Sequence, residues 1–373
     1  MKTVLFLLRK EFLQIFRNKG MLPIIFVLPV IQLMVLSFAA TYELKEVDFA
    51  LVDYDKSIYS QELIQKLQST GYFAMREYSD DADAMLELLE KGDVKLIIRI
   101  PEGFQEALTS GKSTDLQLII DAVDGSTAGL IQSYTNSIIN DFNQEKLGLI
   151  ASKYSMAPVS MVNLKTVNWY NPDLDYITYM VPGILVVLVS MIGLFLSGMN
   201  IVREREIGTI EQLNVTPITK YQFMIGKLVP FWIIGMIDLL IGLTLARFGF
   251  QIPFLGSLFT ILVIAGIYLI LIQAMGLFIS TITDTQQQAM FIAWFFMVVF
   301  ILMGGLFTPI ESMPQWAQDL TKVNPVAYFI KIMRMVLLKG AGWAEVYKMV
   351  VILILFAFGL IGISINRYKK TAG

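Results

Sequence analysis

Arg203-Glu-Arg-Glu-Ile-Gly-Thr-Ile-Glu-Gln-Leu-Asn-Val-Thr-Pro217 is a polar interlude between two long apolar runs. That placement predicts a loop at a membrane surface. Charges of both signs alternate through 203–206. Ile207, Ile210 and Leu213 then recur at a spacing of three, which gives a short helix a narrow apolar edge. Thr216-Pro217 ends it, because proline disfavours helical geometry at the residue before it. A solvated loop has no use for an apolar edge, and a membrane span does not hold so many charges. A short amphipathic helix at 203–217, held between two spans, suits docking onto a soluble partner.

The 373 residues are 55% hydrophobic, with a mean hydropathy of +0.63. Apolar runs of span length recur, so the class is a multi-pass helical membrane protein. There is no cysteine and no histidine. No disulfide staples any part of the chain, and histidine triads and histidine metal ligands are excluded. Charge is near balance, 29 basic against 31 acidic, but unevenly placed. Residues 41–176 hold 11 Lys+Arg and 22 Asp+Glu, which leaves 18 and 9 elsewhere. An acidic insertion beside basic termini points to an insertion outside the cytoplasm.

Residues 1–20 read as an amphipathic helix on the cytoplasmic surface, with Leu5, Leu8, Phe12 and Ile15 on one face and Lys2, Arg9, Lys10 and Arg17 on the other. Interrupting charges and the lack of a small-residue cleavage site argue against a signal peptide. The first span is 21–40, with Pro23 and Pro29 as candidate kinks. Residues 41–176 alternate between period-two and helical spacing: strands at 47–53, 72–78, 94–100 and 115–121, helices at 57–69, 80–91 and 126–153, and a returning extended segment at 162–169. This is a small extracytoplasmic α/β domain whose connecting helices favour parallel strands. Gly111-Lys112-Ser113 lacks the earlier glycine of a phosphate loop, because position 106 is Glu. It reads as a turn. Five more spans follow within 177–373, at 177–201, 222–246, 257–282, 287–307 and 347–366. That makes six, with both termini cytoplasmic. Lys322, Lys331, Arg334 and Lys339 fall in the outward segment 308–340, read as re-entrant or interfacial helices whose long basic side chains snorkel. Lys227 and Arg247, near span ends, are expected to do the same.

Glu204-Arg205-Glu206-x-Gly208-Thr209-x-Glu211-x-Leu213, followed by Pro217, resembles the coupling-helix signature of ABC-2-type permeases, the membrane subunits of type V ABC exporters. Gly304-Gly-Leu-Phe-Thr-Pro309, Met313-Pro-Gln-Trp316 and Asn324-Pro325 resemble that family's outer re-entrant segment more loosely. The resemblance covers the chain apart from the 41–176 insertion, which looks like those of bacterial exporters that work with a periplasmic adaptor. It implies a permease rather than an enzyme, in the bacterial inner membrane, paired with a second permease copy or paralogue. Cytoplasmic ABC ATPase subunits would supply the energy. ATP and Mg would sit on that partner, none on this chain, and no nucleic acid is expected. The coupling residues would be Glu204, Arg205, Glu206, Ile207, Gly208, Thr209, Ile210, Glu211, Leu213 and Pro217. Their apolar edge would enter a groove on the ATPase, with Gly208 allowing close packing and Glu204, Glu206 and Glu211 pairing with basic residues at the rim.

Asp238 lies inside the third span, where an acid is expensive. It reads either as a substrate or proton contact or as a structural hydrogen bond. Phe295, Phe296, Met297, Phe300 and Met303 crowd the fifth span and read either as a hydrophobic path or as packing. Gly193 and Gly198 would permit close approach at a dimer seam. The substrate would be amphipathic or hydrophobic. The rival reading is a membrane receptor or assembly scaffold with an outer sensing domain, which leaves the coupling-like loop unexplained. A membrane enzyme is weakened by the missing histidines and cysteines.

Overall fold

The computed structural model describes residues 2–39, 46–110, 112–153, 169–171, 175–208 and 218–367. The chain divides into two compact units. Residues 1–41 and 167–373 form one, and Tyr42–Thr166 form the other. The helical unit therefore takes up the chain again at 167, before the expected boundary at 176. Asn171 explains part of this: its side chain accepts from Asp175 N (3.0 Å) and donates to Asp175 O (2.8 Å). Asp175 in turn caps the helix that follows, accepting from Ile177 N and Thr178 N.

In the second unit, β1 (Val47–Asp53), β2 (Phe73–Tyr78), β3 (Leu96–Ile100) and β4 (Gln117–Ile120) form one sheet in the order β2-β1-β3-β4. β1 pairs in parallel with β2 and β3, whereas β4 runs antiparallel to β3. The expectation of parallel neighbours thus holds for three strands and fails for the fourth. Alternation along β1 feeds two cores. Val47, Phe49 and Leu51 pack with Leu63 and Leu67 of the helix Ile58–Ser69 and Ile131, Ile138 and Phe142 of the helix Gly125–Lys153. Ala50 and Val52 pack on the other face with Met85 of the helix Ala82–Lys91. Ser57 and Asp81 cap their helices, and Gly92 ends the second of these at φ +81°. The expected segment at 162–169 lies almost wholly outside the described residues.

In the helical unit, α1 is Lys2–Arg17. A π-turn at Pro23–Val27 leads into α2, Leu28–Ala39. The other unit's helices Ile58–Ser69, Ala82–Lys91, Phe104–Thr109 and Gly125–Lys153 are α3 to α6, so α7 is Tyr176–Glu206, α8 Lys220–Phe248, α9 Leu258–Ile282 and α10 Gln286–Leu302. Two shorter helices, α11 (Gln315–Thr321) and α12 (Pro325–Lys339), precede α13, Trp343–Arg367. Four helices among the described residues are long and apolar enough to cross a membrane: α7, α8, α9 and α13. Pro23–Phe38 and α10 are shorter apolar helices.

α7 is apolar all round and buried along nearly its whole length, as such a helix must be. It packs against α2, α8, α9, α10 and α12. Gly193 faces Ile272 and Leu269, and Gly198 faces the backbone of Gly276. Both glycines therefore serve the α7–α9 contact within this chain, and the expected use at a dimer seam is corrected. Small residues are what let two membrane helices approach this closely. Tyr268 of α9 is fully buried, hydrogen-bonded to Ser190 of α7 and stacked 4.2 Å from Phe329 of α12.

Candidate functional site

α7 does not stop at the edge of the apolar run. It continues through 203–206, so these residues are the last turn of a long helix rather than the start of a separate one. Ile207 N and Gly208 N bond back to Arg203 O and Arg205 O, and Gly208 takes φ +74°. The glycine is thus a left-handed helix terminator. A side chain there would meet no neighbour but would strain the backbone. This local task stands beside the one expected from sequence, close packing on a partner, and the open space around the glycine leaves room for both. Thr209, Ile210, Glu211, Leu213 and Pro217 lie outside the described residues.

Arg205 and Glu206 turn toward the α9–α10 connection. Arg205 Nη1 donates to Thr283 O at 2.8 Å and lies 3.6 Å from Asp284. Glu206 accepts from Gln286 N at 2.8 Å and from the Gln286 side chain. A carboxylate at the first residue of α10 complements the positive end of that helix. Glu204 behaves differently from its expected role at a partner's rim. It is buried, accepting from Lys227 Nζ at 2.6 Å and Lys10 Nζ at 3.0 Å. Lys227 also lies 2.7 Å from Glu11. It is buried and does not snorkel, because two carboxylates hold it inside. α1 therefore turns Leu7, Glu11 and Ile15 inward and leaves Leu5, Phe6, Leu13 and Phe16 exposed, a different face from the one its apolar spacing suggested.

Beside this end lies an open groove of about 780 Å³. α2 contributes Leu28 and Gln32. α7 contributes Met191, Phe195 and Met199, and α10 contributes Met290, Phe291 and Trp294. Its walls are apolar, and its polar end gathers Gln14, Asn18, Asn200, Gln286 and Arg203, the one charged lining residue among the described residues. None of the residues expected along a substrate path, all of them described, lines it. Phe295 is exposed beyond the lining, Met297 is buried, and Phe296 and Phe300 pack against the core. Asp238 lies behind the wall in a separate small cavity, where Pro29 and Leu188 are shared with the groove. It is 8% exposed, and its Oδ2 has no partner among the described residues. The structural hydrogen bond weighed for it is thus missing at that oxygen. The groove was readable as a period: 191, 195 and 199 recur every four residues, as do 290 and 294, the spacing of one helix face.

At the opposite end of the bundle Arg334 also fails to snorkel. Its guanidinium stacks 3.7 Å over Tyr179 and donates to Gly305 O at 2.8 Å and Tyr179 O at 3.2 Å. Carbonyls freed where the chain turns at Gly304-Gly305 need donors, and Arg334 supplies them. α12, which carries it, packs against α7, α9, α10 and α13.

A bundle of apolar helices around α7, four of them among the described residues long and apolar enough to cross a membrane, is the architecture of a polytopic membrane protein. A match to the family described as ABC-2 family transporter protein covers residues 19–366. The chain belongs to that family and is an ABC transporter permease, a transport component rather than an enzyme. It is similar to the probable multidrug ABC transporter permease YbhR of Escherichia coli (strain K12), with 31% identity over 350 residues that cover 93% of this chain and 94% of that one. The inner membrane transport permease YhhJ of the same strain is 28% identical over 334 residues, 87% of this chain and 85% of its own. The linearmycin resistance permease protein LnrN of Bacillus subtilis (strain 168) is 21% identical over 378 residues, 96% and 97% of the two chains. Membership of this family implies an ABC ATPase subunit as partner.

Proposed function

We propose that this permease is half of a dimeric exporter, that the groove takes an amphipathic substrate, and that 203–217 is the docking segment for a cytoplasmic ATPase. One observation carries the reading: α7 walls the groove from Leu188 to Arg203, where the docking segment begins, and its last turn runs on to Glu206 before the Gly208 terminator. Displacing that segment would move the groove wall directly. ATP and Mg would bind on the ATPase. Relatives named as multidrug and linearmycin resistance permeases support an apolar or amphipathic substrate. The positive-inside rule would place both termini and the Glu206 end in the cytoplasm and residues 42–166 in the periplasm, against an adaptor. Pro23–Phe38 and α10 would complete six spans in the inner membrane.

The test is co-purification with the ATPase and substrate-stimulated ATP turnover. Gly208→Trp, which strains the terminator, and Glu206→Arg, which breaks the Gln286 contacts, are expected to insert normally but to lower ATPase recovery and abolish stimulation. Asp238→Asn should retain the ATPase. Parental binding and stimulation in both loop variants would refute the docking site.

A further inference from the structure

The docking reading leaves four charges without a task. Lys227 Nζ lies 2.6 Å from Glu204 Oε1 and 2.7 Å from Glu11 Oε1, and Lys10 Nζ lies 3.0 Å from Glu204 and 3.6 Å from Glu11. The side chains of Glu11, Glu204 and Lys227 are 1%, 3% and 3% exposed. Two positive and two negative charges from three separate elements thus form a neutral cluster, dry at Glu11, Glu204 and Lys227 and open to solvent at Lys10, whose side chain is 38% exposed. The sharing is uneven: Lys227 makes a well-formed hydrogen bond to Glu204, whereas Glu11 Oε1 is close but out of line for one.

We propose that Lys227 is a positioning residue that fastens α1 and the last turn of α7 to α8, so that the three move as one body when the 203–217 segment is displaced. The proposal rests on the docking reading above. Stability alone does not explain the cluster, since well-packed apolar residues of similar volume usually serve a buried site as well or better. Charges differ from apolar residues in what happens on separation. Apolar surfaces slide past one another, but pulling Lys227 from either carboxylate would strand a charge away from water. Such a joint resists slippage. Its place is also specific. Glu204 lies four residues before the Gly208 terminator, and Lys227 lies in the second turn of α8, so their contact closes the hairpin whose tip is the docking segment. Glu11 brings α1 into the same joint. Beside it α1 and α8 make a very close approach: a Cβ on Gly226 would lie 2.8 Å from Leu7 Cβ. A push on the segment would therefore reach α1, α7 and α8 together, two of which carry groove residues.

The chain has no cysteine, so paired spin labels can be placed at will. Leu5 on α1 and Tyr221 at the start of α8 are both exposed and lie outside the docking segment. In the complete permease–ATPase complex, the Leu5→Cys/Tyr221→Cys distance is expected to be the same with and without trapped ATP. In a Lys227→Met background it should broaden or shift, and substrate moved per ATP should fall about tenfold, within the span of coupling energies measured in shared networks. Lys227→Arg should restore both readouts. If Lys227→Met fails to insert, the variant Lys10→Met/Glu11→Gln/Glu204→Gln/Lys227→Met, which buries no charge, takes its place with the same expectation. A parental distance that changes on ATP binding would overturn the joint. So would an uncharged cluster that keeps both the distance and the transport ratio. If the parental chain recruits no ATPase at all, the docking reading fails instead, and the distance between the labels still tests the joint in the permease alone.

Discussion

Replacing Arg334 by methionine is expected to loosen the end of the bundle where the chain turns at Gly304-Gly305. The native guanidinium makes two well-formed hydrogen bonds, to Gly305 O at 2.8 Å and Tyr179 O at 3.2 Å, and a longer one to Leu306 O at 3.4 Å. It also lies 3.7 Å over the Tyr179 ring. Methionine keeps much of the volume but donates nothing. Gly305 O would keep only a long hydrogen bond from Tyr179 Oη at 3.5 Å; each carbonyl left short of a donor and away from water costs about 1–3 kcal/mol, and the lost stacking adds about 0.5–2 kcal/mol. Relief of the charge's own desolvation offsets part of this, so a net loss of about 3 kcal/mol is the working figure. Arg334→Lys should recover roughly half, because an ammonium cannot reach carbonyls in several directions as the planar fork does. The assay is thermal unfolding of the detergent-solubilised permease followed by size exclusion, with hydrogen exchange at 303–308 as the local readout. A methionine variant within about 0.5 kcal/mol of the parent, the range of an ordinary surface change, would refute the assignment. So would a lysine variant equal to the parent.

Gly276→Ala should destabilise the α7–α9 contact by about 1–3 kcal/mol, as overpacking does. The new Cβ would lie 2.0 Å from Ser197 Oγ and 2.7 Å from the Leu194 carbonyl, and the backbone contact leaves little to yield. An unchanged melting curve would show that the helices separate freely. For topology, Ser113→Cys and Ile207→Cys, both at exposed positions, should react oppositely with an impermeant thiol reagent in intact cells. Ser113→Cys should label and Ile207→Cys should not, and equal labelling of the two would sink the proposed sidedness.

What the sequence determined on its own is local in origin. Long apolar runs located the helices long and apolar enough to cross a membrane, with ends that differ by up to five residues, since apolarity over that length reads the same wherever the helix packs. α9, expected at 257–282, is Leu258–Ile282, and α8, expected at 222–246, is Lys220–Phe248. Alternation located the four strands, and the motif at 204–217 identified the family. What only the tertiary structure decided is the fate of polar residues. Near a membrane a lysine or arginine has two acceptable ends, water or an internal partner, and its sequence neighbours do not choose between them. Lys227 went inward because Glu11 and Glu204, from elements 216 and 23 residues away, meet it there. Arg334 went inward because a turn 29 residues upstream left its carbonyls open. Glycines follow the same rule: Gly193 and Gly198 announce a close approach, but only packing names the helix that approaches, and here it is α9. The groove belongs to both sources. Its four-residue spacing is written along α7 and α10, but that the two marked faces meet is a property of the folded bundle alone.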